Sequence, residues 1–341
     1  MSTEALASVS DVNPAAIVDA MLGFHKTAAL KAAIEFDVFT AINSGDDTAE
    51  RLAARTGAAE RGMRILCDYL TTSGFLEKDG VRYALPPASK IFLDRNSPAY
   101  MGSVSDFLTA RENLSLFLDD PASYVRNGGS VGMANIAPDN AIWIKFAEAM
   151  VPFVGASAAG VAAEVASWPH PPRKILDIAA GHGYFGISVA RALPQAQIVA
   201  VDWASVLALA TANAEKAGVA SRYRTVAGSA FDIDWGSGYD LVMLPNFLHH
   251  FDMVTCAGLL RKVRASLAPG GRVIAVEFVP NEDRVSPPFP ANFAMVMLAT
   301  TPKGDAYTKS DLTEMAQRVG FSGVSVRPLP PSPASLVLFE D

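Results

Sequence analysis

Two histidines, His249 and His250, stand side by side in a chain that contains five histidines. The apolar run at residues 241–245 predicts a buried strand, so both histidines follow its carboxyl end, where ligands bind in doubly wound sheets. An imidazole titrates near neutral pH and can take a proton from a phenol or enol hydroxyl. The pair is therefore a candidate general base, although either histidine could instead only cap the following helix or form local hydrogen bonds.

A glycine-rich segment gives a second candidate site. Gly181, Gly183 and Gly186 have the spacing Gly-x-Gly-x-x-Gly and lie between a predicted strand and a predicted helix. Glycines at such a turn let a ligand approach the backbone and the amides that begin the helix. Asp202 ends the next predicted strand, where a carboxylate can accept both hydroxyls of a ribose. Because the spacing matches the dinucleotide fingerprint, an NAD-binding oxidoreductase is one interpretation.

Three features favour a different cofactor. Asp177 lies four residues before Gly181, where an anion poorly suits a pyrophosphate but suits a cation. The segment stands in the middle of the chain, before a full set of alternating strands and helices, and a hairpin is predicted at the end. With Asp177, Gly181 and Gly183 in register, the chain resembles the class I S-adenosylmethionine (SAM)-dependent methyltransferases. Their first motif is Asp-x-Gly-x-Gly-x-Gly, and Ala179 takes the place of its first glycine.

This resemblance implies SAM as the cofactor, S-adenosylhomocysteine (SAH) as its product, and no metal. It implies that Asp177 lies near the amino acid end of the cofactor and that Asp202 binds its ribose. A later segment frames the adenine in the family, and Ser229 stands where relatives often carry an acidic residue. The candidate cofactor-binding residues are Asp177, Gly181, Gly183, Asp202, Trp203, Ser229, Ala230, Phe231 and Asn246.

A narrower resemblance rests on residues 248–251. Leu-His-His-Phe stands where small-molecule O-methyltransferases of the plant caffeate and bacterial hydroxyneurosporene type have Leu-His-Asp-Trp. The resemblance covers nearly the whole chain and implies that His249 is the general base and Glu277 the first of two flanking glutamates. Ala306, with Tyr307 beside it, occupies the position of the second glutamate, so the pair is incomplete. Methylation of carbon or nitrogen, which often needs no base, and a relative that does not methylate are the alternatives.

The implied reaction makes limited demands on the protein. The sulfonium methyl is already activated, so the enzyme must align an acceptor and remove its proton. Alignment can contribute about 7–11 kcal/mol and a placed base about 10²–10⁴-fold. We therefore predict that His249, Glu277 and His250 are catalytic residues acting on a hydroxyl of a small, aromatic or lipophilic molecule.

Aromatic and methionine side chains from three segments are candidates for the acceptor pocket. An apolar pocket with few polar groups suits a flat or lipophilic acceptor, although each residue alone could be ordinary core. The candidates are Trp143, Phe146, Met150, Phe153, Phe247, Phe293, Met295 and Met297.

Alternating elements must position these residues. After the proline-rich segment at residues 168–172, near-continuous apolar strands alternate with helices, one of them predicted to end at Gly270. This pattern predicts an α/β fold with a doubly wound, Rossmann-like parallel sheet, which an antiparallel hairpin closes at one edge. We predict a dimerisation domain at residues 1–102, a helical connector that contributes to the acceptor pocket at 103–172, and a SAM-binding domain at 173–341.

The first domain is predicted to be mainly helical and winged-helix-like. Thr48 is placed to cap a helix that ends at Gly57, and a second helix and a hairpin follow. Residues 14–42 have a helical pattern with more apolar surface than one core needs, which favours a homodimer formed through this domain. DNA binding is the alternative, but acidic residues outnumber basic ones over residues 1–110, unlike a nucleic-acid footprint.

Composition limits the partners and the cellular compartment that this chain is expected to have. The formal net charge of −7 and the pI near 5.3 argue against nucleic acid or an anionic membrane as the main partner. Cys67 and Cys256 are far apart and have no His/Cys cluster near them, which favours a reducing compartment over a disulfide framework or zinc site. The amino terminus lacks a signal-peptide pattern, and no uncharged apolar run reaches the roughly 20 residues of a membrane span. We therefore expect a cytoplasmic enzyme.

Overall fold

The computed structural model describes residues 13–131 and 142–341, apart from the side chains of residues 142–145 and 148. Contacts divide the chain into two compact units, with the division after Ala110. The long helix Ile142–Ala166, which falls in the predicted connector, packs within the second unit. The boundaries at residues 102 and 172 stay predictions.

The first unit is mainly helical, as predicted, with one small hairpin. Its elements are α1 Ala15–Met21, α2 Gly23–Glu35, α3 Val38–Asn43, α4 Ala49–Thr56, α5 Glu60–Thr72, β1 Glu77–Asp79, β2 Arg82–Ala84, α6 Pro87–Phe92, the 3-10 turn Gly102–Val104 and α7 Ser105–Leu108. The predicted caps of α4 are confirmed: the Thr48 hydroxyl accepts a hydrogen bond from the Arg51 amide, and Gly57 ends the helix with a φ of 71°. The helical pattern of residues 14–42 forms three helices, because the chain turns at Leu22 and at Asp37, whose φ is 54°.

The second unit contains the large sheet. Its elements are α8 Arg111–Leu118, α9 Pro121–Asn127, α10 Ile142–Ala166, β3 Lys174–Ile178, α11 Tyr184–Ala192, β4 Gln197–Asp202, α12 Ala204–Lys216, the 3-10 turn Ala220–Arg222, β5 Tyr223–Ala227, β6 Tyr239–Pro245, the 3-10 turn Leu248–His250, α13 Met253–Ala265, β7 Leu267–Glu277, α14 Pro288–Thr300, α15 Lys309–Gln317, β8 Gly323–Pro328 and β9 Ser335–Glu340. The strand order is β5-β4-β3-β6-β7-β9-β8, parallel except that β9 is antiparallel to both neighbours. The predicted parallel sheet with an antiparallel edge hairpin is confirmed.

Helices cover both faces of this sheet. Successive strand residues point to opposite faces, so Leu176 and Ile178 join one buried cluster and Ile175 the other. Residues of α13 and α15 complete the first cluster, and residues of α10 and α11 complete the second. Because β3, β4, β6 and β7 are parallel, their carboxyl ends lie at one edge and bring the predicted site residues to that edge.

The prediction that the helix before β7 ends at Gly270 is wrong. α13 ends at Ala265, and β7 already begins at Leu267. Leu267 pairs with Tyr239, whose amide donates to the Ser266 carbonyl, so pairing with β6 captures these residues before the apolar run begins.

One segment of α10, Ala149–Ala166, is long and apolar enough to span a membrane by length and composition, with a mean hydropathy of 1.5. In this unit Ala158, Val161 and Val165 of that helix are fully buried in the cluster that contains Ile187 of α11. Packing within the domain core therefore accounts for the apolar residues on the buried face of this helix, which is 39% of the segment.

Candidate active site

The ends of β6 and β7 bring the predicted base and its partner together. His249 lies in the 3-10 turn that follows β6, and Glu277 is the last residue of β7. The His249 Nδ1 is 2.5 Å from the Glu277 Oε2, and the two residues are only 5% and 3% exposed. The Glu277 Oε1 accepts hydrogen bonds from the amides of Phe247, at 3.1 Å, and Leu248, at 2.8 Å. One carboxylate therefore fixes both the imidazole and the backbone of its turn.

This contact determines which ring nitrogen can act as a base. A carboxylate can only accept, so the Nδ1 of His249 donates to Glu277 and the Nε2 of the neutral ring can accept. Glu277 also stabilises the imidazolium that forms when Nε2 takes a proton, the role of an orienting carboxylate in acyl-transfer triads. The pair can therefore remove a proton from a hydroxyl placed at Nε2.

The position of the second glutamate carries no carboxylate. Ala306 is buried, and the neighbouring Tyr307 donates its hydroxyl hydrogen bond to the carbonyl of Phe251. Burial raises the pKa of Tyr307, so its hydroxyl stays neutral. In the described part of the chain, Glu277 is thus the one carboxylate in contact with the His249 ring.

His250 lies beside His249, with ring centroids 4.4 Å apart and planes inclined by 51°. Burial and the neighbouring His249 hold the pKa of His250 well below its usual range, so this ring is neutral at physiological pH. The contact with Glu277 falls on His249, which favours His249 of the two as the base.

The glycine-rich loop lies between β3 and α11. Gly181 and Gly183 have φ angles of 56° and 81°, in the left-handed region where glycine is favoured. The Asp202 Oδ2 accepts from the Gly181 amide at 2.8 Å, and its Oδ1 accepts from the Trp203 amide at 2.7 Å. Burial raises the pKa of Asp202, and these two amides oppose that effect. Each oxygen keeps one further lone pair, which suits a ribose diol.

Asp177 lies beneath this loop and is fully buried. Its Oδ2 accepts from the Gly186 amide at 3.0 Å, and a Cβ at position 186 would lie 2.8 Å from the same oxygen. Its Oδ1 has no hydrogen-bond partner within residues 13–131 and 142–341, and burial raises the pKa of Asp177 to about 7. Asp177 thus accepts an amide from the first turn of α11, while its contact with the amino acid end of a cofactor stays a prediction.

The segment after β5 has one exposed aromatic ring. Phe231 is 37% exposed, and its ring centroid lies 4.9 Å from Phe251 and 6.2 Å from Phe247. Ser229 accepts from the Phe231 amide through its hydroxyl, and Ala230 is buried in the core. Of the predicted adenine-framing residues, Phe231 therefore offers the largest accessible surface.

Two supporting residues, His182 and Lys262, are absent from the predicted set. The His182 Nδ1 accepts from the Tyr184 amide at 3.0 Å, and burial lowers its pKa to about 4, so a neutral imidazole caps α11. Lys262 donates to the carbonyls of residues 230, 231 and 233 at 2.6 to 3.2 Å. Its position on α13 gives no sequence signal, whereas a histidine between two glycines at a helix start could have been recognised.

Two strained residues mark the same edge of the sheet. Ala179 and Asn246 follow β3 and β6 with φ angles of 56° and 52°, and such non-glycine conformations cluster at functional sites. The Asn246 Oδ1 is buried and has no hydrogen-bond partner among the described residues. In the same part of the chain, and apart from the two neighbours of Gly181, no atom lies closer than 4.0 Å to a Cβ built at this glycine. Open space at this glycine, together with acceptor oxygens on Asp202, Asn246 and Asp177, fits a cofactor with ribose hydroxyls and positive charge.

An aromatic row leads to His249 from the other side. Phe153 is stacked on Phe289 at 6.2 Å, Phe289 lies 5.4 Å from Phe278, and Phe278 lies 4.4 Å from Phe293. The Phe293 ring meets the His249 ring edge-on at 4.9 Å. Two predicted pocket residues, Phe153 and Phe293, are therefore brought into one row that ends at the candidate base.

The other predicted pocket residues lie in several environments. Phe146 and Met150 are half-buried on α10, Met297 is buried, and the Trp143 side chain lies outside the described residues. Met295 is 47% exposed and lines a separate cleft of about 520 Å³. The residues that line this cleft are Gly128, Asp252, Met253, Arg284, Ala294, Met295, Leu298, Lys303, Gly304, Asp305, Tyr307 and Asp311.

One of the two thiols contacts the turn that carries His249: the Cys256 Sγ donates to the carbonyl of Leu248 at 3.2 Å. Cys67 and Cys256 are both free and buried, and burial raises the pKa of each thiol. Over residues 13–131 and 142–341, no group of three or more His, Cys, Asp and Glu side chains is arranged to hold a metal ion.

Known proteins resemble the chain along almost its full length. Residues 127–322 match the O-methyltransferase domain, and residues 18–95 match the O-methyltransferase dimerisation domain. A Nostoc punctiforme structure assigned as an O-methyltransferase is 45% identical, with a TM-score of 0.92 and coverage of 97% of this chain and 100% of that one. The 3-hydroxy-5-methyl-1-naphthoate 3-O-methyltransferase of Streptomyces sahachiroi is 29% identical over 91% of this chain and 90% of its own length.

A relative solved with the reaction product extends this comparison to the cofactor. The structure of PigF with SAH is 25% identical, with a TM-score of 0.82 and coverage of 97% of this chain and 100% of that one. Neither the NAD-binding interpretation nor a DNA-binding regulator agrees with these matches. The chain belongs to the O-methyltransferase family that carries an N-terminal dimerisation domain, and it is a SAM-dependent O-methyltransferase.

Proposed function

We propose that this enzyme methylates a hydroxyl of a small aromatic molecule, with His249 as the general base. The observation that carries the proposal is the buried contact between His249 and Glu277 at the carboxyl edge of the sheet. SAM supplies an activated methyl group when it is bound. The Nε2 of His249 takes the proton of the acceptor hydroxyl, which makes the oxygen a stronger nucleophile, and Glu277 stabilises the imidazolium that results.

The opposite half of the same edge would hold the cofactor. Asp202 accepts the ribose hydroxyls through the lone pairs that its two amide contacts leave available. The open space at Gly181 gives the cofactor close access to the backbone, whereas Gly183 packs against Tyr223 and Ala210. Phe231 offers an aromatic face to the adenine. Asp177 contributes negative charge beneath the loop when it is ionised.

Two observations support an aromatic acceptor. The aromatic row from Phe153 to Phe293 ends at His249, and flat rings pack well against such side chains. Several relatives are named for acceptors with aromatic rings: a hydroxynaphthoate, acetylserotonin and 3-amino-4-hydroxybenzoate. These three compounds form a test panel, and the enzyme is expected to methylate at least one at its hydroxyl. Absence of turnover on all three would contradict an acceptor of this class.

Replacement of the base tests the mechanism. His249→Ala is expected to lower kcat on the active panel compound about 10²–10⁴-fold, because the hydroxyl proton loses its acceptor. Titration calorimetry should show SAH binding unchanged and no binding of NAD. His250→Ala is the control, with a smaller expected effect. Unchanged turnover in His249→Ala would exclude the base role.

The proposed assembly is a homodimer formed through the first unit. Ile17, Met21 and Phe24 are 62%, 72% and 57% exposed, and α1 contributes no buried residue. Such apolar surface is typical of an association face. Light scattering should give twice the mass of the 36.0 kDa chain, and Met21→Lys should shift the measured mass toward that of the monomer.

We also propose a cytoplasmic location, because two free thiols suit a reducing compartment.

A further inference from the structure

The loop between α14 and α15 lies against the backbone of the proposed base. The Asp305 amide donates a hydrogen bond to the carbonyl of His249 at 3.0 Å. A Cβ at Gly304 would lie 2.2 Å from that same carbonyl oxygen and 3.1 Å from the carbonyl carbon of His250. No side chain fits at position 304 unless the turn that carries the base moves.

Thr301 fixes the conformation of this loop. It is 1% exposed, and its hydroxyl donates to the Met297 carbonyl and accepts from the Gly304 amide, both at 2.8 Å. Its own carbonyl accepts from the Ser130 amide at 2.9 Å. The hydroxyl therefore links the end of α14 to Gly304, whose Cβ position faces the His249 carbonyl.

His249 is thus fixed from two sides, at different groups. Glu277 binds the imidazole and the amides of residues 247 and 248, while the loop binds the carbonyl. A 3-10 turn of three residues has few hydrogen bonds of its own, so such external contacts decide where its side chains point. A misplacement of about 1 Å in a reacting group can cost about 10²-fold in rate.

We propose that Thr301 and Gly304 are positioning residues that set the place of the His249 imidazole through its carbonyl. This inference rests on the proposed role of His249 as the base. Neither residue has to touch the acceptor or the cofactor. Their effect should therefore appear in kcat and in the surroundings of the His249 ring, and not in cofactor affinity.

A pair of threonine variants tests this proposal. Thr301→Val keeps the shape but removes the hydroxyl, and it is expected to lower kcat on the active panel compound about tenfold. Thr301→Ser keeps the hydroxyl and should restore kcat to within about twofold of the wild type. Thr313→Val is the matched control, because the Thr313 hydroxyl only donates to the Lys309 carbonyl within α15. SAH affinity should be equal in all three variants.

Glycine variants provide a second, independent comparison. Gly304→Ala is expected to lower kcat about 10²-fold, whereas Gly258→Ala, on α13 with nothing within 4 Å of a built Cβ, should have no effect. The ring signal of His249, identified in NMR spectra by its loss in His249→Ala, should shift in Thr301→Val and stay in place in the two controls. This readout requires no acceptor, so it decides the proposal even if Gly304→Ala does not fold.

The outcomes separate the two proposals. If His249→Ala keeps its turnover, the base role fails and this inference fails with it. If His249→Ala loses turnover while Thr301→Val keeps both kcat and the ring signal, only the positioning role is overturned. Equal losses in Thr301→Ser and Thr301→Val, or a parallel loss of SAH affinity, would also overturn it, since they would show a general effect on the fold.

Discussion

We propose that one half of the sheet's carboxyl edge binds the cofactor (the cofactor half) and that the other carries the base (the catalytic half), and these two halves are built in different ways. In the cofactor half, hydrogen bonds join residues that are close in the chain: Asp177 to Gly186, nine residues apart, and Asp202 to Gly181, 21 apart. In the catalytic half, they join His249 to Glu277, 28 residues apart, and Tyr307 to Phe251, 56 apart. One half is thus a single strand-helix-strand unit, whereas the other is assembled from three segments.

This difference separates binding from chemistry. The cofactor half offers glycine backbone and two carboxylates on rigid strand ends, which suits a constant ligand. The catalytic half depends on a short turn that Glu277 and the loop after α14 fix from outside. Variants of the first half should therefore change SAH affinity, and variants of the second should change kcat.

Glu277→Gln should have the largest effect of these variants, and it should lower kcat without changing SAH affinity. An amide at this position cannot accept all three N–H groups that the carboxylate binds, so the imidazole loses its orientation. We expect kcat to fall about 10²–10⁴-fold, with SAH affinity within about twofold in calorimetry. Glu282→Gln is the control, because the Glu282 carboxylate lies on an exposed surface and accepts a hydrogen bond from the Ser310 amide. A matching loss of SAH binding would erase the distinction between the halves.

Asp202→Asn should give the converse result. The carboxylate accepts from Gly181 and Trp203 and is proposed to bind the ribose, and hydrogen bonds to charged groups are worth about 1.5–3 kcal/mol. The Kd for SAH should rise about 10–100-fold, while kcat at saturating SAM changes little. Asp234→Asn, which alters an exposed carboxylate that accepts the Gly236 amide, should match the wild type. A fall in kcat at unchanged Kd would contradict the comparison.

The pH dependence of stability tests the cofactor half without a ligand. Burial raises the pKa of Asp177 from 3.8 to about 7. Its contribution to stability is therefore fully present below pH 3.8 and is lost as pH rises to about 7, because over that range the unfolded carboxyl ionises while the buried one keeps its proton. Between pH 6 and 8 the wild type should lose about 1.4 kcal/mol relative to Asp177→Asn. Denaturant unfolding at both pH values measures this, and parallel losses in the two proteins would show that Asp177 does not titrate there.

Local spacing accounts for what could be predicted from sequence. Some features depend only on neighbours that are close in the sequence. They are the caps at Thr48 and Gly57, the alternating strands and helices, and the glycines of the cofactor loop. The sequence therefore predicts the strand-helix-strand unit and the places of Asp177 and Asp202 near the ends of its strands, while their roles toward the cofactor stay predictions. The place of His249 after a buried strand makes it a candidate base, whereas Glu277 is predicted only through the family resemblance, because nothing local joins residues 28 apart.

Tertiary contacts account for what could not be predicted. The end of α13 at Ala265 depends on the pairing of Leu267 with Tyr239, which no helix signal encodes. The full burial of Asp177 follows from its place on β3, between β4 and β6, with Gly186 of α11 in contact with its carboxylate. Gly304 does not have a left-handed φ. Glycine is required at this position because the His249 carbonyl, from a distant segment, lies where a Cβ would be.

The acceptor side offers the smallest and last contrast. Phe293→Ala removes the ring that meets His249 at 4.9 Å and should raise the KM of the active panel compound about fivefold, since an aromatic contact is worth about 0.5–1.5 kcal/mol. Met295→Ala, two residues away on α14, alters the cleft of about 520 Å³ described above and should leave KM unchanged. SAH affinity should match the wild type in both variants. The reverse result, with KM raised by Met295→Ala alone, would place the acceptor in that cleft and leave the aromatic row as part of the core.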